Sequence, residues 1–119
     1  MRVLICDDEP SIRLLFRTAI EQLGVEVAEA VNGEECLALA ARLQPDAIVL
    51  DVMLPGRDGL TVLPSLVATC PRAAVIVVSA HASRDAFEQA LANGATAAFE
   101  KLRFLDRIPS LLAPPTVAV

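Results

Sequence analysis

The chain has no tryptophan, no tyrosine and a single histidine, and its only aromatic rings are four phenylalanines. Of its 119 residues 55% are apolar and only 3% aromatic. Its core must therefore be built from Ala, Val, Leu and Ile, which are small enough to let helices lie close on a sheet. A basic excess is also missing. The formal charge of −5, with no basic run or basic helix face, argues against direct binding to nucleic acid. No apolar run approaches the roughly 20 residues that span a bilayer. Met1 leads straight into Arg2-Val3-Leu4-Ile5 without the layout of a signal peptide. A cytoplasmic protein away from membranes is expected. The three cysteines, Cys6, Cys36 and Cys70, are odd in number, widely spaced and form no CxxC pair, so reduced packing residues are expected. No Gly-rich first turn offers a dinucleotide site.

What is present alternates. Arg2 to Cys6 is a short apolar run ending on Asp7, Asp8 and Glu9. Pro10 and Ser11 open a helix, because Pro suits a first turn and acids suit the positive helix end. Ile12, Leu15, Phe16, Ala19, Ile20 and Leu23 recur at helical spacing up to Gly24. Val25 to Ala30, with Glu26 and Glu29, predicts a more exposed strand. Asn32-Gly33 predicts a turn, and Cys36, Leu39, Ala40 and Leu43 mark a second helix closed by Pro45.

Asp46 to Asp51 is a buried strand tipped by a carboxylate, followed by Val52-Met53-Leu54-Pro55-Gly56-Arg57-Asp58-Gly59. Asp58 is the expected N-cap of a third helix whose Leu60, Leu63 and Val67 face inward. Pro64 should kink that helix or delay its start. Ala73 to Val78 is a fourth strand, running into Ser79-Ala80-His81. A fourth helix carries Phe87, Ala90 and Leu91, closing at Asn93-Gly94. Ala95 to Glu100 is a fifth strand, ending at Lys101. Leu102 to Leu112 is helical in pattern but interrupted by Pro109. Residues 113–119 read as a Pro-rich tail or the start of a linker, which makes 1–112 the domain.

Five strands alternating with helices predict an α/β sandwich with a parallel sheet. Parallel strands place their carboxyl ends together, and ligands bind there. Asp7, Asp8, Asp51, Ser79 and Lys101 would then share one crevice. Two carboxylates about 4 Å apart at a surface-like dielectric repel by on the order of 4 kcal/mol, so the cluster needs positive charge. Lys101 supplies one. Mg²⁺, which needs few protein carboxylates, suits the rest. A carboxylate nucleophile beside a lysine, a hydroxyl and Mg²⁺ fits phosphoryl transfer onto Asp51.

With these residues in this order, the chain resembles a response-regulator receiver domain of two-component signalling. The resemblance implies a flavodoxin-like, doubly wound sheet of strand order 2-1-3-4-5. It implies that Asp51 accepts the phosphoryl group, that Asp8, Asp51 and the Met53 backbone carbonyl hold Mg²⁺, and that Asp7 acts through water. Ser79 stands for the hydroxyl that bonds the phosphoryl oxygen, and Lys101 for the lysine that pairs with it. The implied donor is a sensor histidine kinase or a histidine phosphotransfer protein. A downstream partner would use the face of the fourth helix, fifth strand and fifth helix, and a homodimer is a further association. Such a domain modifies itself and turns over no external substrate. Pro55-Gly56, Asp58-Gly59 and Gly94-Ala95 match the family's turns.

Two positions depart from the pattern. Ala98 stands where a switch Tyr or Phe is usual, with Phe99 expected on the opposite face as a core residue. Leu102 stands where Pro usually follows the lysine. A phosphate-independent pseudo-receiver is therefore the alternative. A different flavodoxin-like protein, a nucleotide binder or aspartate phosphatase, is disfavoured, because Met53 occupies the place of a phosphatase's second acid. His81 is expected to be a solvated loop residue or to tune water access, Glu9 a helix-start acid, and Arg57 and Arg84 surface charges.

Overall fold

The computed structural model describes residues 1–56, 58–81 and 84–114. Ten elements alternate: β1 (Arg2–Cys6), α1 (Pro10–Glu21), β2 (Glu26–Ala30), α2 (Gly33–Leu43), β3 (Ala47–Asp51), α3 (Gly59–Thr69), β4 (Ala74–Ser79), α4 (Arg84–Ala92), β5 (Ala97–Glu100) and α5 (Lys101–Leu112). The strands form one parallel sheet of order β2-β1-β3-β4-β5. This is the expected doubly wound fold.

Strand parity divides the core in two. Leu4, Cys6, Ile48, Leu50, Val75 and Val77 face α2, α3 and α4 and pack with Cys36, Val62, Leu66 and Ala90. Val3, Ile5, Val49, Ile76 and Val78 face α1 and α5 and pack with Phe16, Ile20, Phe104 and Ile108. Strands that bury both faces read as continuous apolar runs, which is why β1, β3 and β4 were legible. The edge strand β2 keeps Glu26 exposed and Glu29 half-buried. Phe16 and Phe104 meet edge to face, with centroids 5.0 Å apart, and tie α1 to α5.

The same parity sends Ala98 to the α4 side and Phe99 to the α5 side, as expected. Phe99 is half-buried, stacked near Phe104 and covered by the Arg107 guanidinium at 5.6 Å.

Several local expectations are corrected. Cys6 and Cys36 are not independent thiols. Cys6 points to the α2 side and Cys36 lies on the buried face of α2, so residues 30 apart in sequence meet in a disulfide with Cα atoms 6.0 Å apart. Cys70 is free and buried. Asn32-Gly33 is a helix start rather than a separate turn, since the Asn32 side chain accepts the Glu35 N–H. The third helix does not begin late. Asp58 caps it through the Thr61 N–H at 2.8 Å, and the Gly59 N–H donates to the Val52 carbonyl at 2.7 Å, so Pro64 falls inside it on the exposed side. Pro109 likewise lies inside α5 without ending it. On α4, Leu91 is half-exposed and Ala90 is buried.

Among the described residues, no helix is long and apolar enough to cross a membrane. Arg57 and residues 115–119 of the expected tail lie outside the described residues.

Candidate functional site

The chain leaves β1 for β2 on one side and enters β3 on the other, so the strand order reverses between β1 and β3 and opens a crevice at their carboxyl ends. Asp7 and Asp8 follow β1, Asp51 ends β3, Ser79 ends β4, and Lys101 begins α5 directly after β5. Carboxylate oxygens of Asp7, Asp8 and Asp51 all lie within 4.8 Å of one another. Asp7 and Asp51 are buried, while Asp8 is exposed at the mouth.

Lys101 is buried, with its Nζ 2.8 Å from Asp7 Oδ2, 3.1 Å from Asp51 Oδ2 and 3.5 Å from Glu9 Oε1. Burial opposes its charge, but the bonds to Asp7 and Asp51 outweigh burial and hold the ammonium above its usual range. Asp51 is pushed the other way by its own burial. Its carboxyl rises above the usual carboxylate range, with the Asp7 charge adding to the rise, against the Met53 N–H and Lys101. One ammonium does not neutralise this cluster.

The remaining bonds fix the loops. Met53 N–H donates to Asp51 Oδ1 at 3.1 Å, and Glu9 N–H donates to Asp7 Oδ1 at 2.9 Å. Asp7 Oδ2 is buried, and the Lys101 ammonium at 2.8 Å meets its charge. Three carboxylates gathered about a single ammonium are a ligand environment for a hard cation. The donor set fits Mg²⁺: it is all oxygen, is strongly anionic, and opens on one side to water through Asp8.

Gly59 belongs to this architecture. A Cβ there would lie 2.1 Å from the Asp51 carbonyl oxygen, so only glycine lets α3 start so close to the end of β3.

Every expected site residue falls at this end of the sheet. Ser79 is buried at the rim, but its hydroxyl donates to the His81 carbonyl at 2.9 Å and also receives the His81 N–H at 3.3 Å. His81 is exposed, and its backbone rather than its ring engages the site. Met53 has an exposed side chain. Two contributors were not foreseen. Glu9 reaches Lys101, which its reading as a helix-start acid did not include. Arg13, which no motif marks, donates to the Asp7 carbonyl.

A parallel α/β sheet with an acidic crevice and a buried lysine at its switch point defines a narrow class of domain. The chain belongs to the response regulator receiver domain family, whose model matches residues 3–112. It is 29% identical over 107 residues to sporulation initiation phosphotransferase F of Bacillus subtilis, covering 90% of this chain and 86% of that protein. It is 37% identical over 112 residues to the transcriptional regulatory protein PdtaR of Mycobacterium tuberculosis, covering 92% of this chain and 54% of that one. Other curated relatives are longer still, and the match spans only a fifth to about a quarter of them. Among solved structures, a response regulator from Burkholderia pseudomallei, with a phosphorylated aspartic acid, a calcium ion and citrate, superposes with a TM-score of 0.87 at 27% identity. That match covers 93% of this chain and 65% of the other.

Proposed function

We propose that this receiver domain accepts a phosphoryl group on Asp51 in a Mg²⁺-dependent reaction and changes its partner binding in response. The observation that carries the reading is the cluster itself: three carboxylates within 4.8 Å of one another beside one buried lysine. Asp8, Asp51 and the Met53 backbone carbonyl would hold the ion directly, with Asp7 acting through water. Bound Mg²⁺ supplies the positive charge that three carboxylates and a phosphoryl group together require.

The protein's own groups do the rest. Met53 N–H and Lys101 hold the Asp51 carboxylate by one oxygen each, so its orientation is set before a donor arrives. A carboxylate oxygen attacks phosphorus, and the P–N electrons leave with the donor's imidazole. Lys101 stays charged throughout and pairs with the transferred group. The donor is a histidine kinase or a histidine phosphotransfer protein, and the protein turns over no external substrate. The face of α4, β5 and α5, where Leu91 and Leu102 are exposed, is the surface assigned to a downstream partner. A cytoplasmic location accords with this role.

Intact-mass measurement after treatment with a small phosphodonor tests the reading. The wild type should gain one phosphoryl mass with Mg²⁺ and none with a chelator, and Asp51→Ala should gain none. A wild type that stays unmodified with Mg²⁺ present would sink the proposal.

A second reading, partner binding independent of phosphate, draws on Ala98, which leaves no ring to follow the Ser79 hydroxyl, and on the engagement of that hydroxyl with His81. Pull-downs with and without a phosphoryl mimic separate the two readings.

A further inference from the structure

We infer that Arg13 is a positioning residue for the cation site: it orients the Asp7–Asp8 peptide and so aims both carboxylates. This rests on the receiver reading above. In the first turn of α1, side chains tilt back toward the helix N-terminus. Arg13 therefore reaches the β1–α1 loop, and its Nη1 donates to the Asp7 carbonyl at 2.9 Å. The ladder leaves that carbonyl available, since Asp7 joins β2 only through its N–H, which donates to the Ala30 carbonyl at 3.1 Å.

The Asp7–Asp8 peptide is a rigid plane with one of the two carboxylates borne on the Cα at each end. Gripping its carbonyl restrains the backbone on which both side chains are mounted. The guanidinium is itself held at the rear. Its Nε donates to Glu29 Oε1 at 3.0 Å, with both side chains mostly shielded from solvent. Glu29 is tied in turn to Arg17, and Arg17 to Glu21 at 3.2 Å. A chain of charges thus runs from the far end of α1, through the edge strand, to the backbone of the acidic pocket. The planar fork of arginine suits a role that requires holding two partners at fixed angles.

The sign of the effect separates positioning from simple charge. Arg13 is a cation beside a cation site, so a purely electrostatic role predicts that Arg13→Ala tightens Mg²⁺ binding. A positioning role predicts that it weakens binding. Arg17→Ala is the charge-matched control, because Arg17 shares Glu29 and makes no bond to the Asp7 carbonyl.

The experiment is a MgCl₂ titration of the unphosphorylated chain followed by amide NMR, with hydrogen exchange at Asp8 and Glu9 measured before metal is added. Arg13→Ala should weaken Mg²⁺ binding about 10-fold, the range for loss of a group that orients metal ligands, and should speed exchange at Asp8 and Glu9. Arg13→Lys, which is less disruptive to folding, should fall between it and the wild type. Arg17→Ala should stay within about 2-fold of the wild type by the same standard. Unchanged or tighter binding in both Arg13 variants, or equal weakening by Arg17→Ala, would overturn the inference while leaving the receiver reading intact. A wild type without a saturable Mg²⁺ titration would overturn both.

Discussion

Asp51 sits almost wholly out of water among two like charges and one opposite charge, so Asp51→Asn reads out the balance directly. At an effective dielectric of about 20, a carboxylate within 4.8 Å repels by about 3.5 kcal/mol or more. Lys101 at 3.1 Å attracts by about 5 kcal/mol on the same scale. Desolvating the buried charge costs several kcal/mol more. Burial and Asp7 therefore outweigh Lys101 and the Met53 N–H, in keeping with the raised Asp51 carboxyl. Asparagine keeps an acceptor oxygen and sheds the charge.

The metal-free Asp51→Asn variant should be more stable than the wild type by on the order of 1–2 kcal/mol. That corresponds to a Tm roughly 4–8 °C higher for a domain of this size. Mg²⁺ should reverse the ranking. At a hundred times its Kd the ion adds about 2.7 kcal/mol to the wild type, and the variant, without the Asp51 carboxylate, should gain far less. The pH dependence follows from the sign of the shift. A carboxyl raised in the folded state destabilises when ionised, and that penalty disappears as pH falls through the folded pKa. The gap between wild type and variant should therefore close on acidification. Thermal unfolding in chelator and in MgCl₂, repeated from pH 7 downward, reads all three effects. A metal-free variant that is less stable than the wild type, or one with the full Mg²⁺ increment, would refute the electrostatic account.

Three further outcomes follow from single contacts. Lys101→Met removes the ammonium paired with buried Asp7 and Asp51 and should cost about 3–5 kcal/mol by chemical denaturation at pH 7 without metal. Because the Lys101 pKa is raised on folding, its contribution is complete below the ordinary lysine range and fades as pH climbs through the folded value. A stability profile flat through the alkaline region would contradict this. Gly59→Ala puts a Cβ into the Asp51 carbonyl and should cost about 1–3 kcal/mol, with reduced Mg²⁺ affinity as the accompanying sign. Phe104→Ala should cost about 3–5 kcal/mol by chemical denaturation, because it removes the ring seated against Phe16.

Most of the fold could be read in advance because its signals are local. Val-, Ile- and Leu-rich runs bounded by turn residues mark strands buried on both faces, and helical spacing of apolar residues marks the layers between them. The parity that separates Ala98 from Phe99 needed only strand geometry. The errors have local causes too. Pro64 argues for a kink or a late start and Pro109 for an interruption. Yet α3 starts at Gly59 under its Asp58 cap and α5 runs on to Leu112, each proline lying on an exposed helix face.

For the site, the order of residues determined which side chains gather, since any parallel sheet brings Asp7, Asp8, Asp51, Ser79 and Lys101 to one end. Only the tertiary structure decided how they are held. The Lys101 contact to Glu9, the Ser79 hydroxyl bound to the His81 backbone, the Cys6–Cys36 disulfide and the Arg13 grip on the Asp7 carbonyl each join groups whose meeting depends on exact strand register and side-chain direction. Local propensity and hydrophobic period carry no information at that distance. A hydrogen bond is won or lost over a few tenths of an ångström, and that precision exists only once all three layers have packed.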